Sequence, residues 1–324
     1  MSGRTVGGRA VLAAVLVGGL VLGGCTLPGG TGSNADGGGD GTAAESAGVD
    51  DGRPNPTPPG APGEGEPGSN GADGGSNSAT ADGPPGAVSP ELAAEIDGII
   101  ASWGGQAGLA LAAPGASGSA EPQAAGDLMS DVAWSTSKVP IAIAVVRQSG
   151  GADANVTAAI SVSDNAAAEA MWASLGDPAT AAAATDQVLR DGGDATTNTN
   201  PERIRPEYTA FGQTQWALPD QAQFGANLTC LDGAGPVVDA MGAIAGDQRY
   251  GLGTIPGARF KGGWGPDQSG MYLVRQFGTI PVDGGELGVA IAARPADGTY
   301  ETGQAMLTEI AAAVQRHMPA GGSC

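Results

Sequence analysis

Trp134-Ser135-Thr136-Ser137-Lys138-Val139-Pro140 sets a serine three residues ahead of a lysine, and that lysine is one of only two in the 324-residue chain. The other opens Lys261-Gly262-Gly263-Trp264, and every remaining positive side chain is arginine. A composition rich in alanine and glycine explains why lysines are scarce, but not where these two stand. Arginine stays protonated in almost any setting, whereas a buried lysine shifts its pKa far enough to handle protons. If a helix begins at this stretch, Ser135 and Lys138 share one face of its first turn, and Pro140 fits that register because proline is tolerated only near a helix start. The free N–H groups of a helix start favour developing negative charge and disfavour a protonated lysine. Lys138 is then placed to take the proton of Ser135 and make it a nucleophile. Taken alone, the pair is a weak signal and reads more readily as an ordinary helix start.

The flanking sequence predicts an α+β domain. Ser89 is a good N-cap, Pro90 fits a first turn, and Leu92, Ile96, Ile99, Ile100 and Trp103 fall on one helical face. Toward the other end, Met306, Leu307, Ile310, Val314 and Met318 form a second apolar stripe. Residues 107–113, 258–262, 271–280 and 287–293 read as strands, with Asp283-Gly284-Gly285 as a turn between the last two. Short turns between consecutive strands imply antiparallel pairing. The middle, 135–189, is helical in pattern, including 166–175 and 178–189. The expected architecture is an antiparallel sheet flanked by the terminal helices, with an all-helical lobe inserted and a groove between lobe and sheet.

Two further motifs follow in order. Ser163-Asp164-Asn165 comes after an apolar stretch and before a helix, where its bland reading is an N-cap cluster. Lys261-Gly262-Gly263 ends a predicted strand. Together with Ser135-x-x-Lys138, these elements resemble the Ser-x-x-Lys, Ser-Asp-Asn and Lys-Thr-Gly set of the serine β-lactamase and penicillin-binding protein superfamily. The resemblance spans the folded part of the chain and is closest to class A β-lactamase-like lipoproteins of actinobacterial type. It implies that Ser135 is the acylated nucleophile and Lys138 its base or proton relay. Ser163 would pass the proton toward the leaving nitrogen, Asn165 would hold a substrate amide, and Asp164 would brace the loop. Lys261 would steer a substrate carboxylate while staying charged, and the backbone N–H groups of Ser135 and Trp264, next to Gly263, would form the oxyanion hole. The implied substrate is a small-molecule β-lactam or a peptidoglycan peptide, with no cofactor.

The departures are specific. Gly262 replaces the motif threonine, and Trp264 puts a large ring where the superfamily usually has a small residue. Ser135 and Ser163 stand roughly half as far apart as in class A enzymes, so the helical lobe is expected to be reduced. Glu202, within Asn198-Thr199-Asn200-Pro201-Glu202-Arg203-Ile204-Arg205-Pro206, falls in register with the deacylating glutamate, but proline replaces the asparagine that helps hold the water. Glu202 is therefore read either as a general base or as a solvated loop acid. Residues 213–219 resemble the helix entry that follows this loop. Arg275 is read as a surface residue or a carboxylate-binding group. His317, the only histidine, leaves no Ser-His-Asp triad and no histidine-based metal site. Two rival functions stay open: a D,D-carboxypeptidase or peptidase, and a surface lipoprotein that kept the fold for binding alone.

The outer segments suggest location. Arg4 and Arg9 precede an apolar run from Ala10 to Val21, too short for a membrane span of roughly 20 residues, and Leu22-Gly23-Gly24-Cys25 follows. These last four residues resemble a lipobox, so 1–24 is read as a lipoprotein signal peptide and Cys25 as the lipidated residue, anchored on the outer face of the cell membrane. Residues 25–88, rich in Gly, Pro and Ser, read as a tether with a reach of roughly 45 Å. The folded domain is then expected over 89–324. A net charge of -20 argues against nucleic acid as a partner, and a monomer is expected. With Cys25 lipidated, Cys230 and Cys324 remain as a pair for a disulfide in an oxidising compartment.

Overall fold

The computed structural model describes residues 86–115 and 121–324. The expected signal peptide, Cys25 and nearly all of the expected tether lie outside them. Gly86–Ala87 form a short strand (β1) and Val88 is buried, so the described fold starts ahead of the helix cap at Ser89. That serine accepts a hydrogen bond from the Leu92 N–H at 3.2 Å and opens α1, Pro90–Trp103. Leu92, Ile96 and Ile99 are buried along α1 as the periodicity requires. Trp103 is not part of that stripe: it is 37% exposed in the last turn, where Gly104 already redirects the chain into the sheet.

The strands that follow are β2 (Gly105–Ala112), β3 (Gln123–Gly126) and β4 (Ser130–Val132). The helical lobe comprises α2 (Lys138–Ser149), α3 (Ala154–Ser161), α4 (Asn165–Ser174) and α5 (Pro178–Asp191). Strand β5 (Gln215–Ala217) leads directly into α6 (Leu218–Asn227), and α7 covers Gly235–Gly242. The chain then runs through β6 (Arg259–Pro266), β7 (Tyr272–Val282), β8 (Gly285–Pro295) and α8 (Tyr300–Arg316). Helix α8 ends before Met318, which is exposed and so lies outside the expected stripe.

The main sheet has the order β1-β3-β2-β8-β7-β6, antiparallel throughout except for the parallel pair β1–β3. Strands β7 and β8 are buried almost end to end because helices cover both faces, so they read as continuous apolar runs and not as alternating ones. On β7, Arg275 and Phe277 reach the α6 side, where Phe277 packs on Trp216 and Phe224, while Val274 meets Gly303 of α8. Alternate residues of one strand thus anchor opposite layers. Helix α6 can lie so close because Gly288 faces it: a Cβ there would stand 2.2 Å from the Ala222 carbonyl.

The terminal helices lock together through Glu95, which pairs with Arg316 at 2.5 Å and His317 at 2.8 Å. The Arg316 and His317 hydrogen bonds hold its carboxyl down to about 2. Cys230, just after α6, is bonded to Cys324 across 94 residues of sequence. Closing so long a loop removes much of the freedom of the unfolded chain. Replacing Cys324 with serine should cost about 2–4 kcal/mol. Urea unfolding under non-reducing conditions reads this as a lower midpoint, and a midpoint equal to wild type would contradict it.

Candidate active site

The serine turn is held from three sides. Residues 134–137 form one 3₁₀ turn ahead of α2, and Trp134 enters it at φ 47°, a left-handed conformation that non-glycine residues rarely adopt. The Thr136 hydroxyl donates to the Ala133 carbonyl at 2.5 Å and the Ser137 hydroxyl to the Trp134 carbonyl at 2.7 Å. The Gln221 amide of α6 donates to Thr136 Oγ1 at 3.0 Å, and Arg275 donates to Gln221 Oε1 at 2.6 Å. Arg275 is fully buried. It is neither a surface residue nor a carboxylate ligand: its other bonds go to the carbonyls of Asp131, Val132 and Trp216, and burial lowers its pKa to about 10.

Strand β6, the last in the sheet, closes the third side. A Cβ at Gly263 would lie 2.9 Å from both the Ala133 carbonyl and the Ser135 nitrogen, so only glycine admits this approach. Gly265 makes room in the same way for the Trp134 ring. Gly262 differs, because its Cβ would make ordinary contacts with Trp264, Tyr250 and Gln276 at 3.6 to 3.8 Å. The Trp264 ring therefore leans over Gly262 and against Tyr300, with centroids 5.4 Å apart. The absent threonine and the added tryptophan are one exchange of volume. Trp264 forms part of the wall beside Ser135 and leaves the serine cleft open.

Lys138 is 1% exposed and Lys261 fully buried, and both converge on Ser163, which holds a left-handed φ of 61°. Lys138 Nζ donates to the Ser163 carbonyl at 2.6 Å, to Asn165 Oδ1 at 2.8 Å and, more weakly, to Ser163 Oγ at 3.4 Å. Lys261 Nζ donates to Ser163 Oγ at 2.9 Å and to the Gly262 carbonyl at 2.8 Å. Asp164 caps α4 through the Ala167 N–H at 2.9 Å, which fixes the loop that carries Ser163 and Asn165. Desolvation, more than the helix start, brings Lys138 down to about 7, against the raising influence of Asp164. Lys261 is also pushed well below its ordinary value, first by burial and then by Lys138. Among the described residues Lys261 has no carboxylate partner to hold its charge, so the expected division into a neutral Lys138 and a charged Lys261 is not what this geometry favours.

Ser135 opens into a cleft of about 340 Å³ shared with Trp134, Asn165 and Trp264. Lys138 reaches its wall through Asn165, Gly263 lies against the Ser135 nitrogen, and Ser163 and Lys261 join the group through Lys138. Glu202 does not line it: that side chain is exposed, and its N–H donates to Asn200 Oδ1 at 3.2 Å. The acids that do line the cleft, Glu169 and Glu207, escaped the sequence reading. Each is paired with arginine, Glu169 with Arg203 at 2.6 Å and Glu207 with Arg205 at 3.2 Å. Arg205 also stacks 4.3 Å from the Tyr208 ring, which meets Trp134 edge-on at 4.9 Å. Helical spacing offered one clue, since Glu169 follows Asn165 by one turn.

No protein-family model matches the sequence, and no curated protein does. Solved structures do match. A β-lactamase from Sphaerobacter thermophilus superposes with a TM-score of 0.54 at 19% identity, covering 71% of this chain and 98% of that one. A class A β-lactamase from Mycobacterium abscessus gives 0.54 at 16% identity over 69% and 98%, and a β-lactamase from Burkholderia vietnamiensis 0.55 at 19% over 71% and 97%. The chain has the serine β-lactamase fold. Within this β-lactamase-like fold the neighbouring glycines should respond differently to a methyl group. Gly263→Ala forces backbone against backbone and should cost about 1–3 kcal/mol, whereas Gly262→Ala should stay within about 0.5 kcal/mol of wild type. Thermal unfolding of the two variants separates these outcomes.

Proposed function

We propose that this chain is an extracytoplasmic, lipid-anchored serine hydrolase that forms an acyl-enzyme at Ser135 with β-lactams or related cell-wall acyl-D-amino-acid amides. The observation that carries the reading is the Ser163 hydroxyl, held by two buried lysines behind the cleft into which Ser135 opens. In the proposed reaction Ser135 Oγ attacks the substrate carbonyl while its proton passes to neutral Lys138. The tetrahedral oxyanion accepts hydrogen bonds from the Ser135 and Trp264 N–H groups. The carbon–nitrogen bond then breaks, and Ser163 delivers a proton to the departing nitrogen, recovering one from Lys138. A substrate carboxylate beside Lys261 would restore the charge that burial disfavours. The leader ending at Cys25 motivates the location.

Hydrolysis of the acyl-enzyme needs a base to activate water, and the lining of the cleft offers no carboxylate that is free of an arginine. Glu169 and Glu207 are both arginine-paired, and Glu202 stands outside. This favours slow release, as a penicillin-binding peptidase would show, over rapid β-lactam turnover. Penicillin should leave a stoichiometric adduct on Ser135 that persists for many minutes after excess drug is removed. Intact-protein mass spectrometry with Ser135→Ala as control tests this, and absence of any adduct at saturating drug would refute the reading.

The acylation rate carries a pH signature. Lys138 accepts a proton only when neutral, and burial sets its pKa at about 7. The rate should therefore climb about tenfold per pH unit below 7 and level off above it. A flat profile between pH 5 and 8 would remove Lys138 from the proton path.

A further inference from the structure

Of the two acids that border the Ser135 cleft, only Glu169 stands on a helix that also carries a partner of Lys138. Asn165, the first residue of α4, accepts a hydrogen bond from Lys138 Nζ at 2.8 Å. Glu169 follows it by four residues, ~6 Å further along the same helical face, and both border the cleft with Ser135. Glu207 comes from the loop instead and is 57% exposed. Its partner Arg205 is fixed independently, by the Pro266 carbonyl at 2.6 Å and by the Tyr208 ring.

Arg203 is held far more loosely. Half of its side chain is exposed, and among the described residues it reaches, besides Glu169, only the Pro206 carbonyl at 3.4 Å. An exposed pair of this kind contributes little to stability. The loop has its own staple, since the buried Gln213 accepts the Arg205 N–H at 2.8 Å and donates to the carbonyls of Arg205 and Thr209 at 3.1 and 3.2 Å. The effect of the Arg203–Glu169 contact is therefore local. The guanidinium engages Glu169 Oε1 at 2.6 Å, turns the carboxyl toward the loop and itself takes up part of the cleft. Glu169 Oε2 has no hydrogen-bond partner among the described residues, so the loss of one arginine would free the whole carboxyl.

We propose that Arg203 guards the acyl-enzyme: by occupying Glu169 it withholds from water the cleft carboxylate best placed to activate it, and so sets how long the Ser135 ester lasts. This rests on the hydrolase reading above and names the control of that same site. With Arg203 removed, Glu169 takes one proton of a water molecule while the water oxygen attacks the acyl carbon. Collapse of the tetrahedral species breaks the bond between that carbon and Ser135 Oγ, the proton returns to Oγ, and the acyl group leaves as the acid. Arg203 is thus a positioning residue, acting through Glu169.

The test follows the lifetime of a preformed adduct on the full chain, so that rates of acylation do not enter. Protein is labelled with penicillin, excess drug is removed, and loss of the adduct is timed by intact-protein mass spectrometry. Arg203→Ala and Arg203→Gln should release it at least tenfold faster than wild type. Arg203→Lys, which keeps a cation for Glu169, should stay within threefold of wild type. The double variant Arg203→Ala, Glu169→Gln should return to the slow wild-type release. Equal lifetimes in wild type and both neutral variants overturn the guard while leaving the hydrolase reading intact. Fast release that persists in the double variant also overturns it, because a loosened loop admitting water would act without Glu169. If wild type takes no adduct at all, the hydrolase reading fails and the guard falls with it.

Discussion

Arg275 is the tie on which the arrangement of the site depends. Burying a guanidinium is costly, and here hydrogen bonds to three carbonyls and one amide oxygen, with the nearby charge of Asp131, offset part of that cost while Nε stays without a partner among the described residues. Those acceptors belong to β4, to β5 and to α6, while Arg275 itself sits on β7, one strand in from the edge of the sheet. Through Gln221 the same network reaches Thr136, so the nucleophile turn is referenced to the sheet and not merely to its own helix. That support is what allows Trp134 to hold a left-handed backbone, a conformation that survives only where its surroundings over-determine it.

The two lysines act as one electrostatic unit. Each is desolvated, each bonds the Ser163 hydroxyl, and among the described residues neither forms an ion pair with an acid side chain. Two like charges in so small and dry a space lower the affinity of the pair for a second proton. A cleft of this kind gains charge balance by taking up an anionic group, in a chain whose formal net charge is -20.

Much of this was legible in the sequence, and the misses have physical causes. Long periodic segments such as α1, α8 and strands β7 and β8 announce themselves because burial imposes their spacing over many residues. The short pair β4–β5 has no period to read, since contacts made by Trp216 and Arg275 decide it. Arg275 looked like a surface group because sequence shows its charge and not the carbonyls that receive it. Glu202 had the right offset from the motifs, yet an offset along a loop does not fix which way the loop turns. Here the chain turns Arg203 and Glu207 toward the serine and leaves Glu202 exposed. The two lysines stand in motifs that the fold brings together at Ser163, while their titration depends on depth of burial, which local sequence does not encode.

The exchange of volume at Gly262 and Trp264 has an optical consequence. Of the five tryptophans in the chain, Trp134 and Trp264 border the Ser135 cleft, Trp172 and Trp216 are buried elsewhere, and Trp103 lies at the surface. Indole emission responds to the polarity around the ring, and two of these rings face whatever enters beside Ser135. The wall that distinguishes this cleft is thus also a built-in fluorophore, through which arrival and departure at the serine are observable without a label.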